Sequence, residues 1–216
     1  MNPDSMTSEK SKEQRLLMVE SQLVRRGISD NKVLKAIKTI PRHKFVKLPY
    51  RFQAYYDGPL PIGHGQTISQ PYITAFMTEL LEVSSDHTVL EIGTGCGYQT
   101  AILSILCKKV ISLEIHKSLA ISAQSRLKKY GYLNTEVHCS DGKLGWKKGA
   151  PYIKIIVSAC AQKIPKYLIE QLDNSGTMVI PIAKGKSSQV LTIIKKNSKG
   201  SIKIYESLPV RFVPLV

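Results

Sequence analysis

The apolar positions of this chain change rhythm twice. Near the start they recur at helical spacing: Leu16, Val19 and Leu23 share one face, and Gly27 stands where a helix end favours a left-handed residue. A second helix follows at once, with Ser29 or Asp30 as its cap, Val33, Leu34 and Ile37 as its buried stripe and Pro41 as its stop. Between 45 and 65 the pattern dissolves into aromatics, prolines and glycines, which reads as a long ordered loop of the kind that often carries function. Ser69-Gln70-Pro71 then opens a helix whose apolar residues Ile73, Phe76, Met77 and Leu80 share one side.

After Asp86 short β-branched runs alternate with helical ones. Strands are expected over Thr88–Ile92, 110–114 and Thr135–Cys139, with helices over Tyr98–Leu106 and 118–130 between them. An apolar run at 155–157, a helix opened by Pro165 and a strand over 178–182 extend the same mostly parallel sheet, covered on both faces. Strands over 190–195 and 202–206, joined across Asn197-Ser198-Lys199-Gly200, predict a terminal antiparallel hairpin, with Arg211-Phe212-Val213 closing the chain. The expected class is α/β with a doubly wound sheet. A polar, disordered stretch over 1–14 precedes one domain over 15–216, in which 15–81 supplies helices and a substrate loop and 82–216 the sheet and hairpin.

Composition narrows the class. With 216 residues, 43% hydrophobic and 22% charged, the chain reads as a soluble globular protein. Cys96, Cys107, Cys139 and Cys160 form no Cys-x-x-Cys pair, so neither a zinc site nor a disulfide framework is expected, and no metal is assigned. A reducing cytoplasm fits that usage. The first fifteen residues lack the apolar core of a secretory signal, and the long uncharged stretches at 58–78 and 92–107 are broken by Pro, Gly, Gln and Thr, so no membrane partner is expected. A net charge of +15 attracts polyanions and acidic peptides. The lysines are scattered in short groups, however, so the expected reading is a basic solvated surface and nucleic acid is not the expected partner.

The candidate chemistry lies where strands end. Val89-Leu90-Glu91-Ile92 runs into Gly93-Thr94-Gly95-Cys96-Gly97, whose glycines permit positive φ and close backbone approach, ahead of a helix with free N–H groups. Tyr98 stands where a dinucleotide fingerprint needs a third small residue. The spacing from Glu91 to Gly97 instead resembles the Glu-x-Gly-x-Gly-x-Gly turn of S-adenosylmethionine-dependent methyltransferases with a Rossmann-like fold. Glu114 ends the next strand, where a carboxylate can accept from ribose hydroxyls, and Asp141-Gly142 follows the third, at the expected adenine edge.

The acceptor is read from what is missing and from one loop. Amine-modifying members of that fold carry an Asn/Asp-Pro-Pro-Tyr/Phe segment where this chain has Ser158-Ala159-Cys160-Ala161, which argues against a nucleobase amine. A carboxylate is already ionised at pH 7 and needs only to be held. Ser69, near a helix N-terminus, either orients such an anion or simply caps the helix, and the chemistry alone leaves both open.

The segment Leu60-Pro61-Ile62-Gly63-x-Gly65-Gln66-Thr67-Ile68-Ser69-Gln70-Pro71 carries a more specific likeness. With 89–100, Asp141-Gly142, Ala150-Pro151-Tyr152, Gln171-Leu172 and the ending Val210-Arg211-Phe212-Val213-Pro214-Leu215, it resembles the protein-L-isoaspartate O-methyltransferases over about 15–216. The resemblance implies methyl esterification of the free α-carboxyl of isoaspartyl residues in damaged peptides and proteins, with S-adenosyl-L-methionine as donor, by a monomer. It implies Ser69 as the active-site serine. Thr67, Ile68, Gln70, Tyr72, Glu91, Gly93, Thr94, Gly95, Gly97, Glu114, Asp141 and Gly142 are then the expected cofactor residues. Ile62, Gln66 and Val210, Arg211, Phe212, Val213, Pro214 and Leu215 are the expected substrate residues. Three departures stand out: Cys96 in place of the usual Ser, Ile153-Lys154 in place of an Asp after Pro151-Tyr152, and Asn174-Ser175-Gly176 without the usual Gly-Gly. Two alternatives stay open: an RNA- or ribosome-associated methyltransferase, suggested by the charge, and a non-catalytic relative, suggested by Lys154.

Overall fold

A computed structural model describes residues 8–185 and 187–216. Helix α1 (Ser8–Met18) begins inside the stretch 1–14 expected to be disordered, while residues 1–7 lie outside the described residues. Glu9 in its first turn complements the helix dipole, and Arg15 Nε donates to the Lys38 carbonyl at 2.6 Å, which ties α1 to the next helix. The helix runs on through a wide turn at Val19–Leu23 and ends at Gly27, whose φ of 92° is left-handed. In α2 (Asn31–Thr39) the cap is Asp30, whose carboxylate accepts from the Lys32 and Val33 N–H groups.

The segment 45–65, expected as an ordered loop, contains regular secondary structure. It holds a helical turn at Leu48–Gln53 and a two-stranded antiparallel hairpin, β1 (Leu60–Gly63) with β2 (Gln66–Ile68). His64 and Gly65 make the two-residue turn, with φ values of 52° and 68°, the sign at both central positions that matches strand twist. Leu60, Ile62 and Ile68 bury one side of the hairpin. Helix α3 (Pro71–Leu81) follows, with Gln70 in the cap position and no side-chain cap bond, so Ser69 stands one residue too early to cap it.

The sheet is built from β3 (Thr88–Ile92), β4 (Lys109–Glu114), β5 (Thr135–Cys139), β6 (Tyr152–Val157), β7 (Leu172–Lys184), β8 (Ser188–Lys196) and β9 (Ile202–Pro209). Helices α4 (Tyr98–Leu106), α5 (Lys117–Lys129) and α6 (Lys166–Gln171) connect them. Strand order is β5-β4-β3-β6-β7-β8-β9; the first five are parallel and the last two antiparallel. Alternation sends Leu90, Ile155 and Ile180 into one core and Val89, Ile156 and Val179 into another, so both faces are covered. Because β4 lies on one side of β3 and β6 on the other, the connections diverge there and leave a crevice at the carboxyl ends.

Two of the departures fall away from that crevice. Lys154 is buried in β6, four residues or roughly 13 Å before Ser158, and its Nζ donates to Thr177 Oγ1 at 3.3 Å. Burial holds its ammonium below the ordinary lysine range, with Glu82 pulling the other way. Asn174-Ser175-Gly176 forms an irregularity in β7, where Ser175 has a φ of 62°. A left-handed serine costs about 1–2 kcal/mol relative to a relaxed conformation. Ser175→Gly is therefore expected to raise stability by about 1 kcal/mol and Tm by roughly 2–4 °C, measured by thermal unfolding; an unchanged or lower Tm contradicts it.

Candidate active site

The crevice encloses about 870 Å³ of empty space, counting its open mouth. Its walls come from the carboxyl ends of β3, β4 and β6, the β1–β2 hairpin, the start of α3 and the chain's last residues. The N–H groups of Gly93 and Thr94 both donate to the Leu113 carbonyl, at 2.8 and 3.2 Å, which pins the glycine turn to β4. Gly95 has a φ of 55°, and a Cβ there would stand 3.1 Å from Ile62 Cδ1 of the hairpin. Gly97 serves packing instead: its Cβ would press on Leu127 of α5, and it does not line the cavity.

The two acidic residues at this end have different surroundings. Glu114 is held ready: Oε2 accepts from the Gly95 N–H at 2.8 Å and Oε1 from the His116 N–H at 2.9 Å, and the carboxylate lines the cavity with lone pairs to spare. Glu91 lies behind the wall, fully buried, where Oε2 accepts from Thr100 at 2.6 Å and Ser112 at 2.7 Å. Thr94 Oγ1 joins the same cluster, 2.5 Å from Ser112 Oγ. Burial pushes the Glu91 carboxyl up to about 7, against the opposing pull of the Thr100 and Ser112 hydroxyls and with a further push from Glu114.

That shift has a signed consequence for stability. Below the ordinary value of 4.5 the carboxyl is protonated folded and unfolded, so it contributes nothing. As pH rises toward about 7 the unfolded state releases the proton first, and folding loses up to about 3 kcal/mol from this group. Glu91→Gln lacks that loss. Urea unfolding of both proteins between pH 4.5 and 8 is expected to show the variant gaining on the parent as pH rises; parallel curves contradict it.

On the acceptor side, Ile62, Gln66, Thr67, Ile68 and Ser69 line the cavity. Gln70 and Tyr72 do not. Gln70 Nε2 donates to Asp57 Oδ1 at 2.8 Å, and Tyr72 stacks on Phe76 with the Arg26 guanidinium 3.7 Å over its ring. Val213, Pro214 and Leu215 reach the cavity because the tail is clamped: the Cys160 N–H donates to Val213 O, and the Leu215 N–H donates to Cys160 O, both at 2.8 Å. Val210, Arg211 and Phe212 line a neighbouring groove instead, where the Phe212 N–H donates to Gln189 Oε1 at 2.7 Å. Gly142 lines the cavity, while the Asp141 side chain accepts from the Lys143 N–H and caps its own turn. A Cβ at Gly142 would stand 2.2 Å from Ile92 Cγ2, so only glycine fits there without movement.

Further residues that were not among the expected site residues also line the cavity. Thr74 and Met77 enter from α3, Ser158 and Ala159 from the end of β6, and His116 from the loop after Glu114. His116 stacks on His64 of the hairpin at 4.7 Å between ring centroids, which joins the acceptor hairpin to the glycine-turn side. Ser158 and His116 follow the carboxyl ends of β6 and β4, as Gly93 and Gly142 follow those of β3 and β5. Among the described residues no group of three or more His, Cys, Asp and Glu is placed to hold a metal ion, and no helix is long and apolar enough to cross a membrane.

Residues 12–216 match the family profile described as protein-L-isoaspartate(D-aspartate) O-methyltransferase. A protein-L-isoaspartate O-methyltransferase of Opitutus terrae is 48% identical over 197 residues, covering 91% of this chain and 84% of that one. A Geobacter metallireducens protein of the same name is 47% identical, covering 92% of each chain. Among solved structures, one from Plasmodium falciparum, described as this methyltransferase in complex with S-adenosyl-L-homocysteine, superposes with a TM-score of 0.82. It is 28% identical, and the match covers 94% of this chain and 98% of that one. The Rossmann-like methyltransferase architecture, the cavity at its switch point and a match spanning nearly the whole sequence lead to one assignment: this chain belongs to the protein-L-isoaspartate O-methyltransferase family.

Proposed function

We propose that this chain methylates the free α-carboxylate of L-isoaspartyl residues in damaged proteins and peptides, acting as a monomer in a reducing cytoplasm. One observation carries the reading: Gln66–Ser69, within the Leu60–Pro71 segment whose pattern resembles this family, and the glycine turn line a single cavity. S-adenosylmethionine, when bound, supplies an electrophilic methyl group on a sulfonium. The cavity suits it, because the glycine turn admits close backbone approach and Glu114 keeps free lone pairs for a ribose. Gly93, Thr94, Gly95, Glu114 and Gly142 would hold that ligand, with Thr67 and Ile68 beside it. Glu91 would act from behind, by fixing Thr100 and Ser112.

Ser69 would donate its hydroxyl to the acceptor carboxylate and align one oxygen with the methyl carbon. A carbon–oxygen bond forms as the carbon–sulfur bond breaks, and the electron pair leaves with sulfur. No proton moves, so no general base is required. Ile62, Gln66 and the Val213–Leu215 tail would flank the peptide and keep water from the acceptor. In the released ester the next backbone nitrogen attacks the ester carbonyl, methanol leaves and a succinimide forms, which water opens to either linkage.

Labelled methyl donor, an isoaspartyl peptide and total RNA in one incubation test the reading. Label on the peptide, lost as methanol in mild base, supports it. Base-stable label on RNA overturns it in favour of an RNA methyltransferase.

A further inference from the structure

Arg42 stands just after α2 and opens the turn Arg42–Phe45. Its side chain is fully buried, and the titratable groups acting on it are Tyr98, Cys96 and Tyr55, all raised above their ordinary range and so neutral near pH 7, with no carboxylate among them. Removing an unpaired guanidinium from water costs several kcal/mol, and an apolar side chain of similar size fills such a space at lower cost. Packing alone therefore does not account for an arginine here.

What the guanidinium touches does. Nε donates to the Ala54 carbonyl at 2.8 Å and Nη2 to the Ser69 carbonyl at 2.7 Å. Its carbon lies 4.9 Å over the ring of Tyr98, which itself lines the cavity. Helix α3 makes no demand on the Ser69 oxygen, since its first backbone bond runs from the Thr74 N–H to Gln70 O. Without Arg42 the plane of the Ser69–Gln70 peptide would lose the donor that orients it. A planar, rigid fork suits the task of holding two carbonyls at fixed separation, and a lysine ammonium does not.

We propose that Arg42 is a positioning residue for Ser69. By drawing the Ser69 carbonyl into the protein interior, it leaves the hydroxyl, a donor, facing the acceptor carboxylate. A carbonyl oxygen turned toward that anion would repel it. This rests on the reading of Ser69 as the group that orients the acceptor.

The test is a double-mutant cycle: R42K and R42Q, each in the parent and in S69A. Readouts are kcat and KM for an isoaspartyl peptide, and the Kd of S-adenosylhomocysteine. In the parent, either Arg42 change lowers kcat about tenfold and moves the Kd less than about threefold; in S69A it lowers kcat less than about twofold. Should R42K not fold, because a lone ammonium is left buried, R42Q is neutral and carries the comparison. An equal loss in both backgrounds, or a loss of cofactor affinity matching the loss of kcat, overturns the positioning role while the proposed activity stands. A parent that methylates no isoaspartyl peptide overturns both.

Discussion

Glu114→Ala raises the dissociation constant for S-adenosylhomocysteine at least about a hundredfold while the chain stays folded. The carboxylate is nearly fully buried at the end of β4, and two backbone N–H groups, of Gly95 and His116, brace it from the protein side. Its direction is thus set before any ligand arrives, and the residue lines the cavity with acceptor capacity left over. Hydrogen bonds to a charged group are worth about 1.5–3 kcal/mol each, so losing two to a ribose amounts to roughly 3–6 kcal/mol, or a hundredfold and more in affinity. The loss also releases the Gly95 N–H and loosens the turn. Calorimetry reads the effect directly, and the thermal stabilisation that ligand confers on the parent disappears in the variant. A change smaller than about tenfold contradicts the ribose role and leaves Glu114 as a brace for the turn alone.

Ser69→Ala produces the opposite pattern. It lowers kcat on an isoaspartyl peptide by about a hundredfold, because misalignment of a reacting group by about 1 Å has an effect of that size. Affinity for S-adenosylhomocysteine stays within about twofold, since the cavity's glycine turn and Glu114 are untouched. Stability changes little as well: Gln70, not Ser69, occupies the cap position of α3, so no cap bond is lost. A large loss of cofactor affinity at normal turnover contradicts the acceptor role. The two variants together separate the donor side of the cavity from the acceptor side.

The sheet was legible wherever burial forces a pattern. Thr88–Ile92 and Tyr98–Leu106 stand at their expected bounds because a two-faced sheet needs unbroken apolar strands between helices; Thr135–Cys139, an edge strand with only its first residue buried, does so as well. The β1–β2 hairpin was not legible: strands of four and three residues, one containing Pro61, are too short to show alternation. Strand β7 begins at Leu172, ahead of the expected 178, because the irregularity at Asn174-Ser175-Gly176 reads as a turn in sequence. At the cavity, Gly93, Gly95 and Glu114 could be grouped because neighbouring parallel strands bring their ends together. Gln70, Tyr72 and Arg211 show the limit of that logic. Each stands within two residues of a lining residue, but Gln70 bonds Asp57, Tyr72 stacks on Phe76 and Arg211 lines the neighbouring groove. Arg42 and the His64–His116 stack depend on contacts between distant segments, and no local pattern announces them.

The activity is defined by which carboxylate is methylated. Two peptides of identical sequence, one with aspartate and one with isoaspartate at a single position, differ in which carboxyl of that residue is free: the β-carboxyl in the first, the α-carboxyl in the second. Initial rates of methyl incorporation from S-adenosylmethionine, measured on both with the same enzyme, are predicted to show turnover on the isoaspartyl peptide and none above background on its aspartyl twin. Equal rates on the two peptides contradict the account.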